Sequence, residues 1–195
     1  MDRGHAEALM PLIERVINRV DGRFATLDRV AASVGPGSFT GLRVGLAAGR
    51  AIALATEIPA VGVNTLSAFA GPFLEASNPS ILVSVIDARH SHVYLQMIGS
   101  EGKFALPPQI ISIADAVLAI GSQTVRIIGS AASLLADALH REGKSAQVEP
   151  DLLGPSIEWI ARLGASANPE FSPPSPLYLR PPDATPQTNG RIARA

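Results

Sequence analysis

Apolar residues at Ala6, Leu9, Met10, Ile13, Val16, Ile17 and Val20 recur at spacings of three and four, which predicts a one-faced helix from about His5 to Val20. Pro11 falls inside it and predicts a bend, or a start delayed toward Met10. Arg29 to Val34 reads as a short buried strand, followed by the loop Gly35-Pro36-Gly37-Ser38-Phe39 and a helix from Thr40 to about Thr56. Ala60 to Val63 reads as another strand, and Asn64 or Thr65 can cap the helix that ends near Gly71-Pro72. Ile81 to Ile86 and Val93 to Ile98 are rich in β-branched residues, so they predict two strands joined by Asp87-Ala88-Arg89-His90. A helix over Ile113–Ile120, a strand over Val125–Ile128 and a helix over Ala131–Arg141 follow. Pro155 and Ser156 open a last short helix through Leu163. Strands alternating with helices predict an α/β architecture with a mixed sheet.

From Asn168 onward, Pro169, Pro173, Pro174, Pro176, Pro181, Pro182 and Pro186 make the chain extended, and Leu177-Tyr178-Leu179 is placed to pin one stretch to the body. Three parts result: an amino-terminal lobe over 1–75, a carboxy-terminal α/β lobe over 76–167, and a proline-rich tail over 168–195.

Composition narrows the class. The chain has 195 residues, 47% hydrophobic and 17% charged, which marks a globular protein with enough length for a sizeable core. So low a charged fraction also suggests that a second chain covers some apolar surface. The net charge is −1, and no run of Lys and Arg forms a nucleic-acid stripe along the sequence, so direct nucleic-acid binding is not evident. Cysteine is absent, which excludes disulfides, thiolate metal sites and a cysteine nucleophile. Met1-Asp2-Arg3-Gly4-His5 carries no signal-peptide pattern, and the apolar stretch Gly41–Ala55 is broken by Arg43 and Arg50 and too short to span a bilayer. A cytoplasmic location without membrane insertion is the expectation.

The most specific segment is the glycine-rich loop and the helix behind it. A strand enters and a helix leaves, so unpaired N–H groups at the helix start can hold an anion, with Gly35, Gly37, Ser38, Phe39 and Thr40 as the candidate site. It is not a P-loop, because Leu42 follows Gly41 where that motif needs Lys, and it fails the dinucleotide fingerprint because Thr40 stands at the third glycine. Capping by Ser38 or Thr40 explains the same residues without a ligand. Within the helix, Gly41, Gly45, Gly49 and Ala53 recur every fourth residue. Each interior glycine costs about 1 kcal/mol against alanine, so the stripe calls for close approach of another backbone, either the chain's own sheet or a partner's helix.

Ser33-Val34-Gly35-Pro36-Gly37-Ser38-Phe39-Thr40-Gly41-Leu42-Arg43-Val44-Gly45 resembles the signature of the TsaB (YeaZ) family, bacterial proteins of threonylcarbamoyladenosine synthesis on tRNA. Ile58-Pro59, Val61-Gly62-Val63-Asn64-Thr65-Leu66, Asp87-Ala88-Arg89 with Val93-Tyr94, and Tyr178-Leu179-Arg180 extend the resemblance over nearly the whole chain. The resemblance implies a two-lobed actin-like ATPase fold (ASKHA, ribonuclease H-like) with degenerate catalytic equipment. It implies a non-catalytic subunit that dimerises with a TsaD-like catalytic subunit through the first lobe's helices and works with a TsaE-like ATPase; a homodimer through much the same surface is the other arrangement. Transferred residue by residue, the interface falls on His5, Leu9, Ile13 and Val16 of the first helix and on Gly41, Arg43, Gly45, Gly49 and Ala53 of the second. No cofactor or metal is expected in this chain itself, and an adenine nucleotide at the partner interface stays open. Family members also open with strands carrying an Ile-Asp-Thr-Ser-like segment ahead of the first helix. The sequence begins at that helix and leaves the amino-terminal lobe incomplete, so a true start upstream of Met1 is expected, the alternative being a depleted amino-terminal lobe.

Two enzyme readings compete. An actin-like ATPase or kinase would use the Gly35–Thr40 loop for phosphate and Asp87 for magnesium, although Asp87 also suits a strand-ending turn with Arg89. A glycoprotease-like metallopeptidase would need His90 and His92, which have no carboxylate motif beside them; His5 has Leu9 at the i+4 offset that a zinc helix requires. A serine hydrolase is weaker, since Thr40 stands where the nucleophile elbow after Ser38 requires glycine.

Overall fold

The computed structural model describes residues 5–74, 80–99, 102–150, 152 and 154–180. Helix α1 spans His5–Ile17 and keeps Pro11 inside it. Its inner side carries Leu9, Ile13 and the buried Ile17. The helix stops three residues before Val20, where the chain turns through Gly22 at φ +78° into a short 3-10 turn over Arg23–Thr26.

Strand β1 (Val30–Gly35) runs parallel to β2 (Ala60–Asn64), pairing Val30 with Ala60 through Ser33 with Val63. This sheet has two strands among the described residues. Alternation sends Val30 and Ala32 to one face and Ala31 and Ser33 to the other. Helix α2 (Phe39–Thr56) covers the first face. Helices α3 (Thr65–Leu74) and α6 (Ile157–Ser166) cover the second, with Val63, Ala68 and Ile160 packed together. Asn64 caps α3, its Oδ1 accepting from the Leu66 amide at 2.7 Å.

In the second sheet, strands β3 (Ile81–Asp87), β4 (His92–Ile98) and β5 (Phe104–Ser112) are antiparallel neighbours, and β6 (Val125–Ile128) and β7 (Ala146–Val148) lie parallel to β3. The order is β5-β4-β3-β6-β7. Helices α4 (Ile113–Ile120) and α5 (Ala132–Arg141) bury one face, where Val83, Val85, Leu95, Ile127, Leu135 and Leu139 form the main core. Helix α3 covers the other face through Phe69 and Ala70 against Leu82, Ile98 and Ile128, so it is shared by the two sheets. Ser84 Oγ ties the halves by donating to the Leu66 carbonyl at 2.7 Å.

Three placements differ from the sequence expectation. Helix α6, placed in the 76–167 lobe, packs on β1 instead: Gly164 leaves no room for a Cβ beside Ala31. Arg29 Nη1 fastens that helix end, donating to the Gly164 and Ala165 carbonyls at 2.8 and 3.1 Å and to Ala167. β5 and β7 had no counterpart in the pattern. Pro107 and Pro108 sit within β5, which is tolerated because β5 is an edge strand. The proline-rich tail is described as far as Arg180, and the rest of the 168–195 segment lies outside the described residues.

Candidate partner-docking site

The glycine-rich loop turns the end of β1 into α2. Gly35 holds φ +106°, a conformation that favours glycine, and a Cβ there would press on Leu42 Cδ1 at 2.9 Å. Ser38 is the N-cap: its Oγ accepts from the Gly41 amide at 3.3 Å. One of the free amides at the helix start is thus already satisfied by the chain itself. Gly37, Ser38, Phe39 and Thr40 are exposed around it.

The small-residue stripe on α2 divides. Gly49 and Ala53 are buried toward the chain's own sheet, and a Cβ on Gly49 would meet Ala32 Cβ and Val30 Cγ1, each at 3.5 Å. These two positions, transferred as interface residues, are covered by β1, because the buried side of α2 follows Leu46, Gly49 and Ala53. Gly41 lies over the Ser38 cap, and Gly45 has nothing within 4 Å of where its Cβ would stand. Gly45 is therefore an open notch. Arg43 is exposed, with its guanidinium 4.0 Å over the Phe39 ring.

On α1, Leu9 and Ile13 are half-buried toward the body, and the side chain of His5 lies outside the described residues. Apolar side chains on the flanks of these helices are exposed as well. Met10 is 52% exposed, Leu12 47% and Val16 58%, and on the neighbouring α2 Leu54 is 82% exposed. Isolated exposed apolar side chains are ordinary, and four of them on two adjacent helices mark a candidate docking surface.

The β3–β4 turn carries strain. Arg89, His90 and Ser91 hold φ of +62°, +51° and +59° in succession, each of which costs a non-glycine residue about 1–2 kcal/mol. The turn is fixed by Asp87 Oδ1 accepting from the Arg89 amide at 2.7 Å, and by Arg180 Nη1 donating to the Ala88 carbonyl at 2.8 Å. Asp87 thus spends one carboxylate oxygen on its own turn. His90 Nδ1 lies 3.5 Å from Arg180 Nη2, and His92 Nδ1 lies 2.7 Å from the His90 carbonyl. A guanidinium beside His90 opposes a metal cation there. Among the described residues no group of three His, Cys, Asp or Glu side chains could hold a metal ion, and no helix is long and apolar enough to cross a membrane.

The tail connects these features. The Gly62 amide donates to the Ser172 carbonyl at 2.9 Å, and the Leu177 amide donates to Val34 at 2.8 Å. The Tyr178 ring lies 5.7 Å from Phe39, and Arg180 reaches the β3–β4 turn. Residues 177–180 therefore touch both the glycine-loop end of β1 and the Asp87 turn. The Leu177-Tyr178-Leu179 cluster hinted at this pinning; the contacts of Arg50 and Arg180 with partners more than 90 residues away left no sequence signal.

Residues 1–149 match the family model described as TsaD: tRNA N6-adenosine threonylcarbamoyltransferase. The tRNA threonylcarbamoyladenosine biosynthesis protein TsaB of Escherichia coli is 28% identical over 118 residues, covering 56% of this chain and 51% of that protein. A tRNA N6-adenosine threonylcarbamoyltransferase of Afipia carboxidovorans is 32% identical over 178 residues, 91% of this chain and 43% of the relative. The chain thus spans about half the length of the curated relatives it matches. Among solved structures, an uncharacterized protein of Pseudomonas aeruginosa with similarity to peptidase YEAZ superposes with a TM-score of 0.71 at 21% identity, covering 92% of this chain and 86% of that one. That likeness shows a YeaZ-like fold, and together with the TsaD family model it fits the expected actin-like, ribonuclease H-like class. With the signature Ser33–Gly45 seated on the β1–α2 turn, the chain belongs to the TsaD-type threonylcarbamoyltransferase family, on its TsaB/YeaZ side.

Proposed function

We propose that this chain is a non-catalytic subunit of the machinery that makes N6-threonylcarbamoyladenosine on tRNA, and that it docks through α1 and α2 onto a TsaD-like catalytic subunit in the cytoplasm. The observations that carry the reading are the exposed apolar side chains of α1 and α2, Met10, Leu12, Val16 and Leu54, together with the open notch at Gly45. Burying a Val, Leu or Met side chain fully contributes about 1.5–3 kcal/mol, so these four exposed side chains are enough to anchor a partner helix pair. A TsaE-like ATPase joins the same assembly. A homodimer through this face is the resting arrangement when the partner is absent, and an adenine nucleotide at the subunit boundary is compatible with the exposed glycine loop.

Reconstitution tests the reading. The purified chain should form no threonylcarbamoyladenosine and turn over no ATP by itself, while raising the modification rate of a TsaD-like subunit on a tRNA transcript. ATP turnover by the isolated chain that disappears in Asp87→Ala would replace this reading with the ATPase one. Chelator-sensitive proteolysis that requires His90 and His92 would replace it with the peptidase one.

A further inference from the structure

Four arginines distant in sequence line up along the strap formed by residues 172–180. Arg43 and Arg50 are seven residues apart on α2, two turns and about 10 Å along one flank of the helix. Arg43 Nε donates to the Tyr178 hydroxyl at 3.5 Å and Arg50 Nη2 to Ser175 Oγ at 3.4 Å, so the strap runs antiparallel to the helix. Arg180 continues the line onto the Ala88 carbonyl, and Arg89 follows, exposed at the tip of the β3–β4 turn. Arg43, Arg50 and Arg89 form no ion pair with a carboxylate among the described residues. The acidic groups nearest along the chain are Asp87, one oxygen of which is held by the Arg89 amide, Asp183, three residues beyond Arg180, and Glu57, seven residues beyond Arg50. In a chain of net charge −1, Arg43, Arg50 and Arg89 make a local excess of positive charge.

Two aromatic rings interrupt the arginines. Phe39 and Tyr178 are each 51% exposed, with centroids 5.7 Å apart, and the Arg43 guanidinium lies over Phe39. Arginines spaced along a strip with exposed rings between them suit a nucleic-acid strand, whose phosphates take the charges while its unpaired bases stack. An acidic polypeptide would satisfy the arginines and leave the rings unused.

We infer that Arg50, Arg43, Phe39, Tyr178, Arg180 and Arg89 form a surface that holds a single-stranded stretch of RNA. The choice of RNA over another nucleic acid rests on the proposed place in tRNA modification; the charge and ring geometry stands without it. The strip borders the apolar docking face, on the rim where charged side chains stay exposed in an assembly. It escapes notice in the sequence because its members come from α2, the β3–β4 turn and the tail.

The test is fluorescence anisotropy of a labelled, unmodified tRNA transcript titrated with the purified chain at rising KCl. Three to four phosphate contacts on a single strand give log Kobs a slope of about −2 to −3 against log[KCl]. Arg50→Gln with Arg89→Gln should reduce that slope by about 1.4 and weaken binding at fixed salt. Phe39→Ala should weaken binding by roughly tenfold and leave the slope unchanged. Thermal melting of each variant establishes that it is folded. Absence of tRNA binding by the wild type, an unchanged slope in the double arginine variant, wild-type affinity in Phe39→Ala, or tighter binding of poly-glutamate than of poly-uridine would each overturn the inference. Lost RNA binding with intact association to a TsaD-like subunit defeats this inference and spares the docking reading; the reverse result defeats the docking reading and spares this one.

Discussion

Gly45 and Gly49 stand one turn apart on α2, yet a leucine at each should do opposite things to the isolated protein. Neither has a positive φ, so side chains are allowed at both positions. At Gly45 an added Cβ meets nothing within 4 Å. Gly45→Ala should therefore recover helix propensity worth up to about 1 kcal/mol, a rise of about 2–4 °C in Tm for a chain of this size. Gly45→Leu keeps most of that gain. At Gly49 the Cβ already sits 3.5 Å from Ala32 Cβ and Val30 Cγ1, which is ordinary contact for alanine. The three further carbons of leucine must push into β1, an overpacking that costs about 1–3 kcal/mol and lowers Tm by several degrees. Circular dichroism melts of the two leucine variants measure the difference, and calorimetric titration with the proposed TsaD-like partner follows. Gly45→Leu should melt at or above the wild-type temperature and still bind the partner more weakly. Equal losses of Tm at the two positions would refute the division of the stripe into a sheet-facing half and an open half.

Ser38→Ala removes the cap that accepts from the Gly41 amide and should cost about 1 kcal/mol in a denaturant titration, with partner affinity unchanged. Arg126 and Glu149 form a 2.5 Å ion pair with 9% exposure on each side chain; Arg126→Ala strands the carboxylate and should cost about 3–5 kcal/mol, while Arg126→Met with Glu149→Leu should regain most of that. A double variant no better than the single one in thermal melts would contradict this. Arg180→Ala frees the Ala88 carbonyl, so hydrogen exchange at residues 88–92 should accelerate while exchange in β6 stays as it was. Unchanged exchange in the turn would mean that the strap does not hold it.

Much of the fold was legible because periodicity and capping agree with packing. Ser38 or Thr40 ahead of an apolar run marked α2, Asn64 or Thr65 marked α3, with Ser38 and Asn64 the caps observed, and the β-branched runs marked β3 and β4. The failures share a cause: pattern reports which residues are buried and not what buries them. Helix α6 has an ordinary amphipathic sequence, and only the fit of Gly164 against Ala31 assigns it to the first sheet. Pro107-Pro108 disguised β5, since proline argues against a strand until its edge position is known. The glycine stripe was visible, but its division at Gly45 depends on where β1 lies. The candidate site was half legible in the same sense. The motif Ser33–Gly45 located the loop, whereas the strap that joins Phe39, Tyr178 and Arg180 spans more than 140 residues of sequence.

The central claim is that the exposed apolar side chains of α1 and α2 dock onto a TsaD-like subunit. Isothermal titration of that subunit with the wild-type chain and with Val16→Arg and Leu54→Arg tests it most directly, because both side chains are exposed and neither change should alter the melting temperature. The account predicts a wild-type complex and a loss of affinity of roughly tenfold or more in each variant. No complex with the wild type, or variants that bind as tightly as it does, would contradict it.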